Sequence, residues 1–239
     1  FHLHRQGKSM VESRPDLNEA ANFLYLINGG TEAEKDSVDT LDMCYVLHAD
    51  HGMNASTFAS RVTVATLSDI YSAVTSAIGT LKGPLHGGAN EAVIRMLQEI
   101  GSLENVDAFI ADCLENKKKV MGIGHRVYKV LDPRAVKLRK MVLKMGEKIS
   151  EPKWIQMSDK IAEIMLNKKG LHANVDFYSA SVYYSLEIPI DLFTPIFAIA
   201  RTSGWTAHVL EQMADNRLIR PQSDYIGPEG LTVTPIDQR

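Results

Sequence analysis

Apolar residues recur along this chain at three- and four-residue intervals and almost nowhere alternate with polar ones, a pattern that constrains the fold more than any other feature. "NEAANFLYLINGG" stops at a Gly-Gly pair. "TEAEKDSVDTLDMCYVLHADHG" carries acids in its first turn, apolar residues at Val38, Leu41 and Tyr45, and a terminal glycine, so both stretches read as helices. The run over 55–81 crowds Ala, Ser, Thr and Gly between larger apolar residues, as closely packed helices or a subunit interface require. Its valines and threonines suit strands too, but strict alternation is missing and Ser68-Asp69 reads as a fresh N-cap, which predicts two helices. "LDPRAVKLRKMVLKMGEKIS" offers Asp132 as N-cap and Pro133 at the first helical position, and "PKWIQMSDKIAEIMLNKKG" ends in lysines and a glycine. The expected fold class is all-α. The sequence has no internal repeat, no low-complexity segment and no obvious linker.

With 239 residues, 45% of them hydrophobic, the chain can bury a substantial core. A net charge of -3 gives it no general attraction to nucleic acid or an anionic membrane, and the Lys117–Lys119 run reads as a solvated helix end. The expected partners are small molecules and further copies of the chain. Cys44 and Cys113 both fall in apolar helical patterns, which suits two buried thiols in a reducing compartment better than a disulfide framework. No apolar stretch approaches the roughly 18 residues of a membrane helix, and the opening "FHLHRQGKSM" has no apolar signal-peptide core. These features predict a cytoplasmic protein, and the absent initiator methionine suggests a processed product.

Several stretches carry chemistry. In "KGPLHGGAN", His86 sits between Gly-Pro and Gly-Gly pairs, just before a helix from Ala89 with apolar spacing at Val93, Leu97 and Ile100. Facing that helix N-terminus, the ring is expected to be neutral and able to donate one hydrogen bond. The bland alternative is a capping or packing histidine in a turn. "LHADHGMNAST" sets His48 and His51 three apart near a helix end, where they could share a face and bind a metal or an anion. The alternative is a packed His48 and a polar helix-end His51. "GIGHRVYKVLDPR" places His125 after a Gly-x-Gly turn, followed by Arg126, Lys129 and Arg134, a combination suited to a carboxylate or phosphate ligand. "NVDFYSASVYYSLE" puts Asp176 in the first turn of an apolar helix capped by Asn174. There it serves either the helix dipole or, walled by Val175, Phe177 and Tyr178, as a general base. "FAIARTSGW" embeds Arg201 in an apolar helix where a charge needs a partner, and "NRLIRPQSDYIGP" offers Arg217 and Arg220 in an irregular tail.

Taken together and in order, "LHADHGMNAST", "GPLHGGANE", "GIGHRVYKVLDPRA", "NVDFYS", "ARTSGW" and "RLIRPQSDYIGP" resemble the citrate synthase family from residue 47 to residue 228. The resemblance implies an all-helical dimer in which a smaller domain closes over the substrates. By analogy, residues 1–89 and 193–239 belong to the large domain and 90–192 to the small one. It further implies that His86, His125 and Asp176 are the catalytic trio acting on acetyl-CoA and oxaloacetate. His51, Arg134 and Arg201 match the family's contacts to the dicarboxylate, and Arg220 matches an arginine lent by the second subunit. Lys129 matches a cation near the CoA phosphates, with the backbone at Gly122 and Gly124 against the nucleotide. No permanently bound cofactor or metal is implied, and the setting is a prokaryotic cytoplasm, or an organelle matrix if a targeting N-terminus was lost.

Two departures accompany the resemblance. The family usually builds several helices ahead of the position where this sequence starts, so the N-terminal part of the large domain is missing from it. Gly52 stands where many relatives place glutamate. Within the family, 2-methylcitrate synthase and citryl-CoA lyase are the alternatives. Outside it stand a metal-dependent phosphohydrolase, for which the sequence has no His-Asp dipeptide, and a non-catalytic CoA-binding or interaction fragment.

Overall fold

Several of the helices begin where a short polar side chain can replace the backbone partners that a first turn lacks. In the computed structural model, which describes residues 1–83, 85–125, 130–146 and 153–239 and the side chains of all of these except 144–146, eleven α-helices follow one another. They are α1 (His2–Arg5), α2 (Glu19–Ile27), α3 (Lys35–His48), α4 (Ala55–Ala65), α5 (Ile70–Leu81), α6 (Ala89–Ile100), α7 (Val106–Glu115), α8 (Pro133–Gly146), α9 (Lys153–Lys169), α10 (Val175–Ser185) and α11 (Phe193–Ala214). Asn18, Asn54, Asp69 and Asn174 each cap a helix by accepting from a first-turn N–H. Asp132 does the same for α8, taking the Arg134 N–H at 3.0 Å. Among the described residues there is no strand, only an isolated antiparallel bridge between Ile123 and Ala173. The all-α expectation holds, and 55–81 does break into two helices at Asp69.

One helix differs from its sequence reading at both ends. α3 starts at Lys35, leaving Glu32 outside to pair with Arg14, and ends at His48 rather than at Gly52. Its last residues, Ala49 to Gly52, form the loop that carries His51.

The main core forms around α10, whose Val175 and Phe177 to Tyr183 are all buried, against α6, α8 and α3. α6 presents Val93, Ile94, Leu97 and Ile100 to it, none more than 2% exposed, each side chain worth about 1.5–3 kcal/mol of burial. α4 and α5 pair with each other and lie across α11, where only small clusters form: Ala77, Leu81, Phe197 and Trp205 in one, Val64, Ala73 and Val209 in the other. The outer surface of this layer leaves Phe58, Tyr71, Ile78, Leu210 and Met213 exposed. α11 approaches the α3 end by bare backbone. The Gly204 N–H donates to the Ala49 carbonyl at 3.0 Å, and a Cβ at Gly204 would lie 2.4 Å from that oxygen. No described helix is long and apolar enough to cross a membrane. Both cysteines are buried and free.

Candidate active site

Six short segments deliver the chemistry-bearing side chains: the loop after α3, the loop before α6, the Gly122–His125 turn, the first turns of α8 and α10, and the middle of α11.

His86 is held from two sides. Its backbone N–H donates to the Gly83 carbonyl, and Gly87 closes back on the Leu81 carbonyl so tightly that a Cβ there would sit 2.3 Å from it. Only glycine fits at 87. The ring meets a helix start, but that of α4 rather than of the helix that follows it in sequence. The Ser56 N–H in the first turn of α4 donates to His86 Nε2 at 3.3 Å, and Ser56 Oγ lies 2.8 Å from the same nitrogen. A backbone N–H can only donate, so Nε2 is the bare nitrogen and the ring is neutral with its proton on Nδ1. Burial and then the charge of Arg201 push its pKa below 6.5. Pro84, of the Gly-Pro pair before this histidine, lies outside the described residues.

His48 and His51 do not share a helix face, because the helix ends between them. His48 is fully buried, and its Nδ1 donates to the Cys44 carbonyl at 2.8 Å. Burial lowers its pKa to about 4, so it is a packed core histidine. His51 instead turns its ring edge-on to His125, with centroids 5.1 Å apart. Burial, then Arg134, His125 and Arg201, hold it neutral with a pKa lowered to about 4.

The Gly-x-Gly turn is bolted to the start of α10. Gly122 takes φ +71°, and a Cβ there would lie 2.7 Å from Val93 and 2.8 Å from the Phe177 ring. Its carbonyl accepts from the Asn174 N–H at 3.0 Å, while Asn174 Nδ2 donates to the Gly124 carbonyl at 2.8 Å. Asn174 therefore caps α10 and clamps the His125 turn at once. Gly122 is buried; Gly124 and His125 face a cavity of about 170 Å³ that Asp132, Leu171 and His172 also line. Arg126 and Lys129 lie outside the described residues.

Asp132 does more than its sequence reading as a cap suggests. Buried to 1% exposure, it grips Arg134 through both carboxylate oxygens, Nε to Oδ1 at 3.1 Å and Nη2 to Oδ2 at 2.9 Å, and it accepts the Val175 N–H of α10 at 3.2 Å. Arg134 Nη2 stands 3.5 Å from His125 Nε2. Burial alone would raise the Asp132 pKa; the Arg134 hydrogen bond and charge reverse this and hold it below 3.8.

Asp176 has the opposite environment. The residue is half-buried, yet protein crowds its carboxylate closely enough that burial raises its pKa to about 6, with Arg134 and Arg201 pulling the other way and Asp132 adding to the rise. Its sequence neighbours look elsewhere: Phe177 packs under Gly122 and Tyr178 reaches Asp159 at 3.2 Å. Arg201, 1% exposed on α11, donates from Nε to the His48 carbonyl at 2.6 Å and lies over the Phe197 ring at 4.8 Å. Among the described residues no carboxylate comes within ion-pairing distance of it, and burial drops its pKa to about 10. A buried cation so placed can take an anionic ligand.

Arg220 does not join this cluster; it lies in the exposed tail, bonded to the Pro221 carbonyl. The arrangement thus combines an acid with raised pKa, neutral histidines and two arginines. Such a set can remove a proton of low acidity, donate to the oxygen that becomes negative, and hold a small anion. Ser56 and Asp132 were missed as functional positions by sequence reasoning. Asp132 reads as a helix cap and Ser56 as one more small residue of a close-packed helix, and only their long-range partners, His86 and Trp205 for Ser56 and the Val175 N–H for Asp132, distinguish them.

The chain is similar to known proteins over its whole length. The family model "Citrate synthase, C-terminal domain" matches residues 1–222. The chain is 55% identical over 239 residues to Citrate synthase 2 of Bacillus subtilis, covering all of this chain and 64% of that protein. It is 54% identical over 236 residues to the citrate synthase of Haloferax volcanii, covering 98% and 62%. A 2-methylcitrate synthase of Corynebacterium glutamicum is 41% identical, with 98% and 63% covered. The crystal structure of citrate synthase from Thermotoga maritima superposes with a TM-score of 0.91 at 42% identity, over all of this chain and 65% of that one. The chain therefore spans less than two thirds of the length of these relatives.

Proposed function

Since this chain belongs to the citrate synthase family, we propose that it carries the condensation of acetyl-CoA with oxaloacetate and the hydrolysis of citryl-CoA to citrate and CoA. Asp176 takes a proton from the acetyl methyl group. His86 offers its Nδ1 proton to the thioester oxygen, so the enol or enolate is stabilised as it forms. His125 polarises the ketone of oxaloacetate, whose carbon the enol attacks; water then cleaves the thioester. Arg134, Arg201 and His51 hold the carboxylates of the dianion. The observation that carries this reading is the company Asp176 keeps. An acid raised to about 6 stands in the field of Arg201, a buried cation with no carboxylate partner among the described residues, and Arg201 in turn helps keep His86 neutral.

The assignment extends to partners. We place CoA along the turn at Gly122 and Gly124, with Lys129 near its phosphates, and divide the chain into a large domain of 1–89 and 193–239 and a small one of 90–192. Two copies pair, and the exposed Phe58, Tyr71, Ile78, Leu210 and Met213 suit such a contact. Arg220, far from this protomer's own cluster, enters the partner's site, so a lone protomer is inactive. Relatives in a bacterium and an archaeon favour a prokaryotic cytoplasm.

The test is thiol release from acetyl-CoA and from propionyl-CoA, with and without oxaloacetate, followed by chromatography of the product. Release that depends on oxaloacetate, favours acetyl-CoA and vanishes in His86→Ala and Asp176→Ala supports the proposal. A propionyl preference moves the assignment to 2-methylcitrate synthesis, a choice that turns on one methylene and about 1–3 kcal/mol. A folded dimer that binds CoA without turnover makes it a silent module.

A further inference from the structure

We infer that Trp205 is a positioning residue for His86, acting through the hydroxyl of Ser56. The inference rests on the role proposed above for His86.

Trp205 on α11 is fully buried among Ala77, Leu81 and Phe197, and its indole Nε1–H has one partner, Ser56 Oγ at 3.0 Å. Packing alone would be served by a phenyl ring. What the indole adds is a donor, and its effect follows from counting protons around Ser56.

Ser56 Oγ touches three groups: Trp205 Nε1, Asn54 Oδ1 at 2.8 Å and His86 Nε2 at 2.8 Å. The indole only donates, so it fills one lone pair of the hydroxyl. The Asn54 amide cannot turn over, because Oδ1 accepts the Thr57 N–H at 3.1 Å while Nδ2 donates to the Gly52 carbonyl at 3.2 Å. Asn54 Oδ1 therefore only accepts, and so does His86 Nε2, which already receives the Ser56 N–H. With the indole on one lone pair, the single hydroxyl proton lies on the side away from it, shared between Asn54 Oδ1, which has a second lone pair free beside the Thr57 N–H, and His86 Nε2. The Ser56 N–H and this shared proton both face Nε2, and the hydroxyl is a stronger donor for accepting from the indole.

The consequence for the ring is a fixed tautomer. With Nε2 held as acceptor, the proton stays on Nδ1, the atom that must meet the thioester oxygen. α11 seats the indole there because Gly204, immediately before it, lets the helix close on the Ala49 carbonyl. The same helix, one turn earlier, carries Arg201, so one rigid element sets both the anion-holding cation and the tautomer of the donor histidine.

The decisive variant is Trp205→Phe, which keeps a ring in the cluster and removes only the N–H. Its kcat for oxaloacetate-dependent CoA release should fall about threefold to tenfold, the value of one neutral hydrogen bond, with the KM for oxaloacetate unchanged. Added to Ser56→Ala it should cost nothing further, since the indole acts only through that hydroxyl. A readout that needs no turnover is the ¹⁵N spectrum of the His86 ring in the 239-residue chain: Nδ1 alone protonated in the parent, a tautomer mixture in Trp205→Phe. Should that variant fail to fold, Ser56→Ala alone must give the same tautomer mixture and an upfield shift of the Trp205 indole proton. Unchanged kcat and tautomer, losses that add in the double variant, or a fall in KM-linked binding alone would each overturn the inference. An inactive parent chain would defeat the proposed reaction but leave the ring spectra to decide this one.

Discussion

Asp132 and Asp176 each stand at the start of a helix, α8 and α10, and both feel Arg134, yet they are driven in opposite directions. Asp132 holds the guanidinium with both oxygens and takes two backbone N–H groups, so its negative charge is fully compensated and its pKa falls below 3.8. Asp176 feels the same cation only at a distance, and burial raises it to about 6. The difference lies in contact against field. A carboxylate in contact with its cation is a structural anion; one merely within its field keeps a usable affinity for a proton.

The largest expected effect breaks the second half of this contrast. Asp176→Ala removes the raised acid of the cluster, and kcat should fall by about 10²–10⁴-fold with the KM for oxaloacetate little changed, measured by thiol release. In the parent the acid limb of kcat/KM should fall near pH 6, where Asp176 becomes protonated. An acid limb near pH 4 would mean that the carboxylate is not held in this environment.

Breaking the other half should cost stability before chemistry. Asp132→Asn leaves Arg134, whose side chain is 12% exposed, without its bidentate partner, a loss of about 3 kcal/mol or more for a buried pair. For a chain of this length each kcal/mol is about 2–4 °C in Tm, so calorimetry at pH 7 should show a fall of about 6–12 °C.

pH separates the two acids by sign. The folded pKa of Asp132 lies below its unfolded value, so its contribution to stability is present above pH 3.8 and lost as pH falls through the folded pKa. The folded pKa of Asp176 is raised, so ionising it opposes folding, the cost growing from pH 3.8 to about 6 and staying full above that. Asp176→Asn should therefore raise stability at pH 8, on the order of 2 kcal/mol, and change it little at pH 4. Asp132→Asn should lower stability at pH 8, with the loss shrinking toward acid. Two melting curves of the same sign would refute the contrast.

Much of this was legible in the sequence because caps and periodicity are local. Asn174, Asp132 and Asp69 were read as caps, and each caps the helix expected of it. The stretch from Thr31 to Gly52 misled because acidic residues before a helix and polar residues after it fit the same spacing as the helix itself. Glu32 is taken by Arg14 and the chain turns at Ala49, which no local rule reports. The neutral state of His86 was likewise readable from a nearby helix start, while the identity of that helix was not, since Ser56 lies thirty residues earlier. Arg201 advertised itself as a charge in an apolar run; its answer was a carbonyl from α3, 153 residues away, rather than an acid.

The smallest expected effect tests whether the field around Asp176 depends on how its helix is anchored. Asn174 does two jobs, accepting the Asp176 N–H at 3.0 Å and donating from Nδ2 to the Gly124 carbonyl at 2.8 Å. Asn174→Ser keeps a capping oxygen but deletes the donor, so the helix start survives while the clamp on the His125 turn is lost. The stability cost should be near one neutral hydrogen bond, about 0.5–1.5 kcal/mol, or a Tm lower by a few degrees. kcat should fall by more than that suggests, because His125 rides on the loosened turn. If Asn174→Ser lowers Tm but leaves kcat intact, the bidentate Asp132–Arg134 pair fixes the site by itself, and the contrast between the two acids reduces to that one contact.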